Sequence, residues 1–179
     1  PVRAAGVVMA RNVEIKLRVG GHAAIVARLR ALPGARDAGV LRQRDVFFHT
    51  PCGRLKLRTT TGRPAQLIHY DRPDNPTLRT SEYTIVETPD GDALGAVLDQ
   101  VLGRRGEVRR RRHLFQFDNV RIHLDEVGHL GHFVELEAVL DAAHDEQACR
   151  QSAHDLVQAL GLADAIPEAR AYIDMLEIR

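Results

Sequence analysis

The sequence predicts an α+β protein, mainly β, built on an eight-stranded antiparallel β-barrel with peripheral helices. Three observations in the 179 residues predict it. Charged and apolar residues alternate with period two in segment after segment, the pattern of strands with one polar and one apolar face. Turn residues separate most of these segments by a few positions, which makes hairpins of them. Stretches with helical spacing are few, and they lie between or after the strands.

The first strand, Arg11 to Val19, carries Asn12-Val13-Glu14-Ile15-Lys16-Leu17-Arg18 and breaks at Gly20-Gly21. A helix over His22 to Leu32 follows, with Ile25, Val26, Leu29 and Leu32 at helical spacing, and stops at Pro33-Gly34. Val40 to His49, Arg54 to Thr60, Ala65 to Arg72 and Leu78 to Glu87 read as the next four strands, the last two parted by a loop over Pro73 to Pro76. Asp90 or Asp92 can cap a helix bearing Leu94, Val97, Leu98, Val101 and Leu102, closed by Gly103. Glu107 to Asp118, Val120 to Val127 and His132 to Leu140 complete the strands. An amphipathic helix spans Asp145 to Leu160, and a short one is expected over Glu168 to Leu176.

Sorting the faces gives two sets. Glu14, Lys16 and Arg18 share one face of their strand, as do Lys56 and Arg58, Ile68, Tyr70 and Arg72, and Arg79, Ser81 and Tyr83. Arg110 pairs with Arg112, Glu135 with Glu137, and Arg121, His123 and Asp125 fall together. The opposite faces hold Val13, Ile15, Leu17, Leu55, Leu57, Ile122, Leu124, Val134 and Leu136. Alternation leaves open which set points inward. If the charged set lines the lumen, helices or a second subunit must cover the apolar outside.

Composition sets the bounds. Hydrophobic content of 44% suits one domain with a real core, and a net charge of +1 gives no global basic field. Arg109 to Arg112 is a local exception, but alternation sends its arginines two ways, so nucleic acid is not an expected partner. No apolar run reaches membrane-spanning length and Pro1 to Ala10 lacks a signal-peptide core, so no membrane partner is expected. Residues 1–10 read as an extension, with Met9 a candidate natural start, and 11–179 as the domain. Two cysteines, Cys52 and Cys149, are too few for a disulfide framework and fit a reducing cytoplasm. The two lysines, Lys16 and Lys56, stand against twenty-three arginines. Both sit in alternating strands, where a compact ammonium does what a guanidinium fork cannot. His123, His129 and His132 are close in sequence, but two of them flank a turn and no cysteine joins them, so zinc is not expected.

The ordered set Asn12-Val13-Glu14-Ile15-Lys16, Gly53-Arg54-Leu55-Lys56-Leu57-Arg58, Arg121-Ile122-His123-Leu124-Asp125 and Gly131-His132-Phe133-Val134-Glu135-Leu136-Glu137, with the basic run before His113 and the ending Ala171 to Leu176, resembles the CYTH superfamily of triphosphate tunnel metalloenzymes. The branch it looks most similar to is that of the bacterial class IV adenylyl cyclases. The resemblance implies an eight-stranded tunnel with the charged faces inside. It implies Glu14, Glu135 and Glu137 as ligands of Mg²⁺ or Mn²⁺, Asp125 as a further metal or supporting carboxylate, and Lys16, Glu14 and Glu137 as the catalytic set. Lys16, Arg18, Lys56, Arg58, Arg72, Arg79, Arg110, Arg112 and Arg121 become the triphosphate clamps. Arginine forks and lysine point charges suit phosphate oxygens, and carboxylates suit hard divalent ions.

One position departs from the hallmark: the first glutamate of its Glu-x-Glu-x-Lys strand is Asn12, a weaker, uncharged ligand. Two chemistries fit such a tunnel, cyclisation of ATP to cyclic AMP and pyrophosphate, and hydrolysis of thiamine, nucleoside or inorganic triphosphate. A reading of another class is a non-catalytic nucleotide or polyphosphate binder. An apolar barrel exterior is compatible with a homodimer.

Overall fold

The computed structural model describes residues 2–4, 7–72 and 74–176. Pro73 of the expected loop, Pro1 with residues 5 and 6 of the expected extension, and 177–179 of the expected domain lie outside the described residues. In chain order the elements are β1 (Val2–Ala4), β2 (Val7–Val19), α1 (Ala23–Ala31), β3 (Arg36–Phe48), β4 (Arg54–Thr60), β5 (Ala65–Asp71) and β6 (Arg79–Thr88). They continue with α2 (Gly91–Leu102), β7 (Arg104–Phe117), β8 (Val120–Val127), β9 (Gly131–Val139), α3 (Glu146–Ala159), β10 (Ile166–Pro167) and α4 (Tyr172–Leu176).

The antiparallel sheet runs β2-β6-β5-β4-β3-β7-β8-β9, and β9 pairs back onto β2, closing an eight-stranded barrel. Closure leaves none of these eight strands as an exposed edge. β1 and β10 are short additions, both paired with β2. The hairpin between β7 and β8 turns on Asp118-Asn119, where Asp118 takes φ 48°, a left-handed conformation that a short polar side chain tolerates.

Strand ends differ from the expected bounds. β2 begins at Val7, paired with Val86, upstream of Arg11. β3 and β7 both begin earlier than expected because they pair antiparallel along their lengths, from Arg36 opposite Gln116 to Phe48 opposite Arg104. The expected helix over Glu168 to Leu176 shrinks to α4, because the chain before it is drawn onto the barrel: Glu168 N donates to the Lys16 carbonyl at 2.9 Å.

The charged faces point inward and the apolar faces outward, under the helices. Val13, Leu17, Ile122, Leu124, Val134 and Leu136 lie in one buried cluster with Ile25 and Leu29 of α1 and Cys149 and Leu156 of α3. Val46, Phe48 and Leu57 form a second, covered by Leu94, Leu98 and Leu102 of α2. Asp90 and Asp145 cap α2 and α3, accepting from Ala93 N at 2.9 Å and Ala148 N at 2.8 Å. Each fully buried apolar side chain contributes about 1.5–3 kcal/mol, so the outside of the barrel is its core.

One end of the lumen is plugged. Phe47, Val108, Val127 and Phe133, at the ends of their strands, pack with Tyr172, Ile173 and Met175 of α4. Gly106 makes room for the plug, since a Cβ there would stand 2.7 Å from Ile173 Cδ1. Among the described residues no helix is long and apolar enough to cross a membrane.

Candidate functional site

Inside the barrel lies a cavity lined by charge. From the plug outward, side-chain exposure climbs from 3% at Lys16 to 32% at Arg121, so the mouth is the end opposite α4. Strand alternation delivers each group. β2 supplies Asn12, Glu14 and Lys16; β4 supplies Lys56 and Arg58; β7 supplies Arg110 and Arg112, while Arg109 and Arg111 face solvent. Leu41, Ile85 and Leu114 with Tyr83 line the cavity wall nearer the mouth.

One side of the cavity, on β3, β4 and β7, is cation-rich. Asp45 is wholly buried and sits among three cations, with Lys56 Nζ at 3.1 Å, Arg58 Nε at 2.8 Å and Arg110 Nη2 at 3.0 Å. Burial alone would raise Asp45, but Arg110, Arg58 and Lys56 hold it well below the usual carboxylate range. Burial and the nearby Arg58 push the Lys56 ammonium down to about 7. One carboxylate does not balance three cations, so this wall carries a positive surplus.

The other side, on β2, β8 and β9, gathers carboxylates. Glu14 and Glu137 are directly opposed across β2 and β9, and Lys16 is opposed to Glu135. Lys16 Nζ stands 3.9 Å from Glu135 Oε1, donates to the Arg170 carbonyl at 3.0 Å and lies 4.3 Å from the Tyr172 ring centroid. Burial lowers Lys16 to about 8, against the raising effect of Glu135. Glu14 is raised by burial and by Glu135, although Arg72 and Arg79 reach it at 3.3 and 3.2 Å. Glu137 is held by Arg121 at 2.9 Å.

His123, on β8, projects between these acids. Its Nδ1 is 3.5 Å from Glu135 Oε2 and 3.5 Å from Glu137 Oε1. Burial and the Arg112 charge lower its pKa, which favours the neutral imidazole. Burial alone would raise Glu135, yet the His123 interaction, Lys16 and Arg112 bring it well below the usual range. His123, Glu135 and Glu137 can each present one ligand atom within 4.8 Å of the others. Two buried atoms at this cluster, His123 Nδ1 and Asn12 Oδ1, have no hydrogen-bond partner among the described residues, so the donor set fits a divalent cation.

The expected site residues therefore divide. Glu14, Lys16, Lys56, Arg58, Arg72, Arg110, Arg112, Arg121, Glu135 and Glu137 meet in one cavity, with Asn12. Arg79 is buried beneath Glu14 and also donates to the Asn75 carbonyl. Arg18 is not among the lining residues: it donates to the Leu130 carbonyl at 2.7 Å and covers the Phe133 ring, on the plug. Asp125 has no exposed surface, and its two oxygens accept from Arg112 at 2.6 Å each and from Tyr172 at 3.0 Å. It braces Arg112 and stands at about 2, because Arg112 overcomes the effect of burial.

Several groups in or behind the cavity wall, Asp45, Tyr172 and His123 among them, were not among the expected site residues. Asp45 follows from the alternation Leu41, Gln43, Asp45, Phe47 on β3, which the flanking arginines obscure. Tyr172 carries no periodic signal. His123 does fall on the charged face of β8, but its nearness in sequence to His129 and His132 suggested only a zinc set. The structure parts that set: His132 points away from the lumen and meets His22 edge-on at 4.9 Å.

A family model described as the CYTH domain matches residues 10–172. No curated protein matches the sequence. Among solved structures, the PH1012 protein from Pyrococcus horikoshii OT3 is similar, at 23% identity and TM-score 0.79, over 91% of this chain and 98% of that one. A proposed adenylate cyclase from Vibrio parahaemolyticus matches at 22% identity and TM-score 0.73, over 94% and 98%. A proposed adenylyl cyclase from Hippeastrum, described as having a dominant triphosphatase activity, matches at 14% identity and TM-score 0.67, over 93% and 95%.

Proposed function

The chain belongs to the CYTH domain family, and on that premise we propose that it is a metal-dependent enzyme acting on a nucleoside triphosphate held in the lumen, with cyclisation of ATP to cyclic AMP and pyrophosphate as its reaction. The observation that carries the reading is the surplus of cations around Asp45, facing clustered carboxylates across one blind cavity. A triphosphate carries about four negative charges near neutral pH, and arginine forks with lysine point charges match its oxygens.

The two ends of the cavity suggest the orientation. The deep end has Lys16, Arg72 and Lys56 for the terminal phosphates. The apolar wall of Leu41, Ile85 and Leu114, with Tyr83, suits the nucleoside nearer the mouth. In cyclisation the ribose 3′-hydroxyl releases its proton to solvent as its oxygen bonds to the α-phosphorus, the bridge to the β-phosphate breaks, and pyrophosphate leaves with the added charge. Lys56, Arg58, Arg110 and Arg112 would stabilise that charge as it grows. Lys16 acts as a clamp in this reading: its depth, and its bond to the Arg170 carbonyl, put it with the leaving phosphates and away from the ribose. Mg²⁺ or Mn²⁺, held by Glu135, Glu137 and Glu14, would supply Lewis-acid polarisation of phosphate oxygens.

A second reading, hydrolysis at the terminal phosphorus, draws on the concentration of positive charge at the blind end and on the activity described for the Hippeastrum protein. Turnover of ATP, thiamine triphosphate and inorganic triphosphate, with cyclic AMP, pyrophosphate and orthophosphate separated, decides between them. Cyclic AMP with pyrophosphate is the expected result. Orthophosphate without cyclic product would make the enzyme a triphosphatase. Binding without any product, under either metal, would reduce it to a triphosphate-binding module.

A further inference from the structure

We propose that His123 is itself a metal ligand, acting with Glu135 and Glu137, and that its imidazole makes the site prefer Mn²⁺ to Mg²⁺. This rests on the metal-dependent reading above and deepens it. The geometry carries the proposal. His123 Nδ1 is equidistant, at 3.5 Å, from one oxygen of Glu135 and one of Glu137. That is too long for a good N–H···O hydrogen bond. Two ligand atoms about 2.1 Å from a common ion stand about 3.0 Å apart at a right angle and about 3.4 Å apart at the tetrahedral angle. Both His123 distances lie close to that spacing, and the three ligand atoms fall within 4.8 Å of one another.

Burial is the second, independent argument. The His123 side chain is 6% exposed, and its Nδ1 has no hydrogen-bond partner among the described residues although His123 lines the cavity. A buried polar atom left in this way is costly unless something else satisfies it. The two carboxylates are fixed from behind. Glu137 Oε2 takes Arg121 at 2.9 Å; Glu135 has Lys16 at 3.9 Å on Oε1 and Arg112 at 3.3 Å on Oε2. Such outer contacts orient ligands. β8 is fully paired with β9 here, His123 opposite Glu135, so the backbone holds the imidazole on the same lumen face as the two carboxylates.

The donor set then dictates the ion. Mg²⁺ demands hard oxygens and keeps much of its water, whereas imidazole nitrogen favours first-row transition ions, and carboxylates accept both. Of the two ions named for the proposed reaction, two carboxylates and one imidazole therefore suit Mn²⁺ better than Mg²⁺.

The test titrates Mn²⁺ and Mg²⁺ separately into the full chain without nucleotide, by calorimetry. It then records the three-pulse electron spin echo envelope of the Mn²⁺-bound protein. The expected result is Mn²⁺ affinity about tenfold or more above that for Mg²⁺. A directly coupled ¹⁴N should appear in the wild type and vanish in His123→Gln with the fold intact by circular dichroism. The wild-type spectrum does not depend on that variant folding. No Mn²⁺ binding, a preference below about tenfold, or a wild-type spectrum without nitrogen coupling overturns the proposal. Turnover of a triphosphate in such a case would leave the enzymatic reading standing. A nitrogen-coupled Mn²⁺ in a chain that turns over no triphosphate would do the reverse.

Discussion

The two walls of the lumen balance charge in opposite ways. On β3, β4 and β7 a single wholly buried carboxylate, Asp45, serves Lys56, Arg58 and Arg110. On β2, β8 and β9 three glutamates crowd together, two of them register partners, with His123 of β8 against the two acids of β9. The first wall is short of negative charge and the second has an excess of it. Neither arrangement is what stability alone would select, because buried ions are best paired one to one with their hydrogen bonds complete. The difference marks one wall for an anion and the other for a cation, and each can be broken separately.

The largest effect is expected at the cation wall. Asp45→Asn leaves three buried cations without their carboxylate, and removing one partner of a buried ionic cluster costs about 3–5 kcal/mol. For a chain of this size that is a fall in Tm of roughly 6–20 °C. Saturating inorganic triphosphate should raise the Tm of the variant by more than it raises that of the wild type, since the anion replaces the lost charge. Scanning calorimetry with and without the ligand checks both. An equal rise in the two proteins would mean that Asp45 and the ligand do not share the same cations.

At the acid wall the expected loss is catalytic. Glu137→Gln keeps the shape and the Arg121 contact while removing a ligand charge. Turnover should fall about a hundredfold, with metal-free triphosphate affinity within a few-fold of wild type. Steady-state rates set against calorimetric binding separate the two quantities. A variant that loses binding as severely as turnover would place Glu137 in the phosphate site.

The next effect tests both walls through their lysines. Burial holds Lys56 at about 7 and Lys16 at about 8. An unfolded chain keeps both protonated to about pH 10.4. Between these limits the unfolded state binds more protons, so the stability of the ligand-free protein should rise with pH from about 7 towards 10. Triphosphate binding has the other sign, because it needs the ammonium forms. Affinity should fall about tenfold from pH 6.5 to 9, with protons taken up on binding at pH 7.5. Calorimetry in buffers of different ionisation enthalpy measures that uptake. Affinity that is flat with pH would show that neither lysine faces the phosphates.

Much of this contrast is legible in the sequence. Period-two alternation assigns every strand of the barrel and sorts Glu14 with Lys16, Arg110 with Arg112, and Glu135 with Glu137, because a pleated strand leaves each residue only two directions. The sense of the faces is not legible from alternation, since a closed sheet can be turned inside out without altering the pattern. It is fixed by what α1, α2 and α3 cover, and so by long-range packing. Arg18 shows the limit of the rule: it keeps the lumen parity of Lys16 but stands where Leu130 and Phe133 have already closed the cavity. Asp125 has the right parity as well, and only the reach of Arg112 across from β7 makes it a brace.

The smallest effect concerns the floor, where the two walls meet. Tyr172 belongs to the short helix α4 and lies well beyond the last barrel strand in sequence, yet its hydroxyl donates to Asp125 and its ring supports Lys16. Tyr172→Phe removes the hydroxyl alone. Asp125 retains both bonds from Arg112, so the loss should be about 1 kcal/mol, a fall of roughly 2–4 °C in Tm. The ring stays beneath Lys16, so turnover should remain within about threefold of wild type. Melting curves and steady-state rates on the same preparation decide the matter. If this variant lost turnover as deeply as Glu137→Gln, the hydroxyl and Asp125 would belong to the chemistry of the acid wall, and the floor would be part of the reacting site.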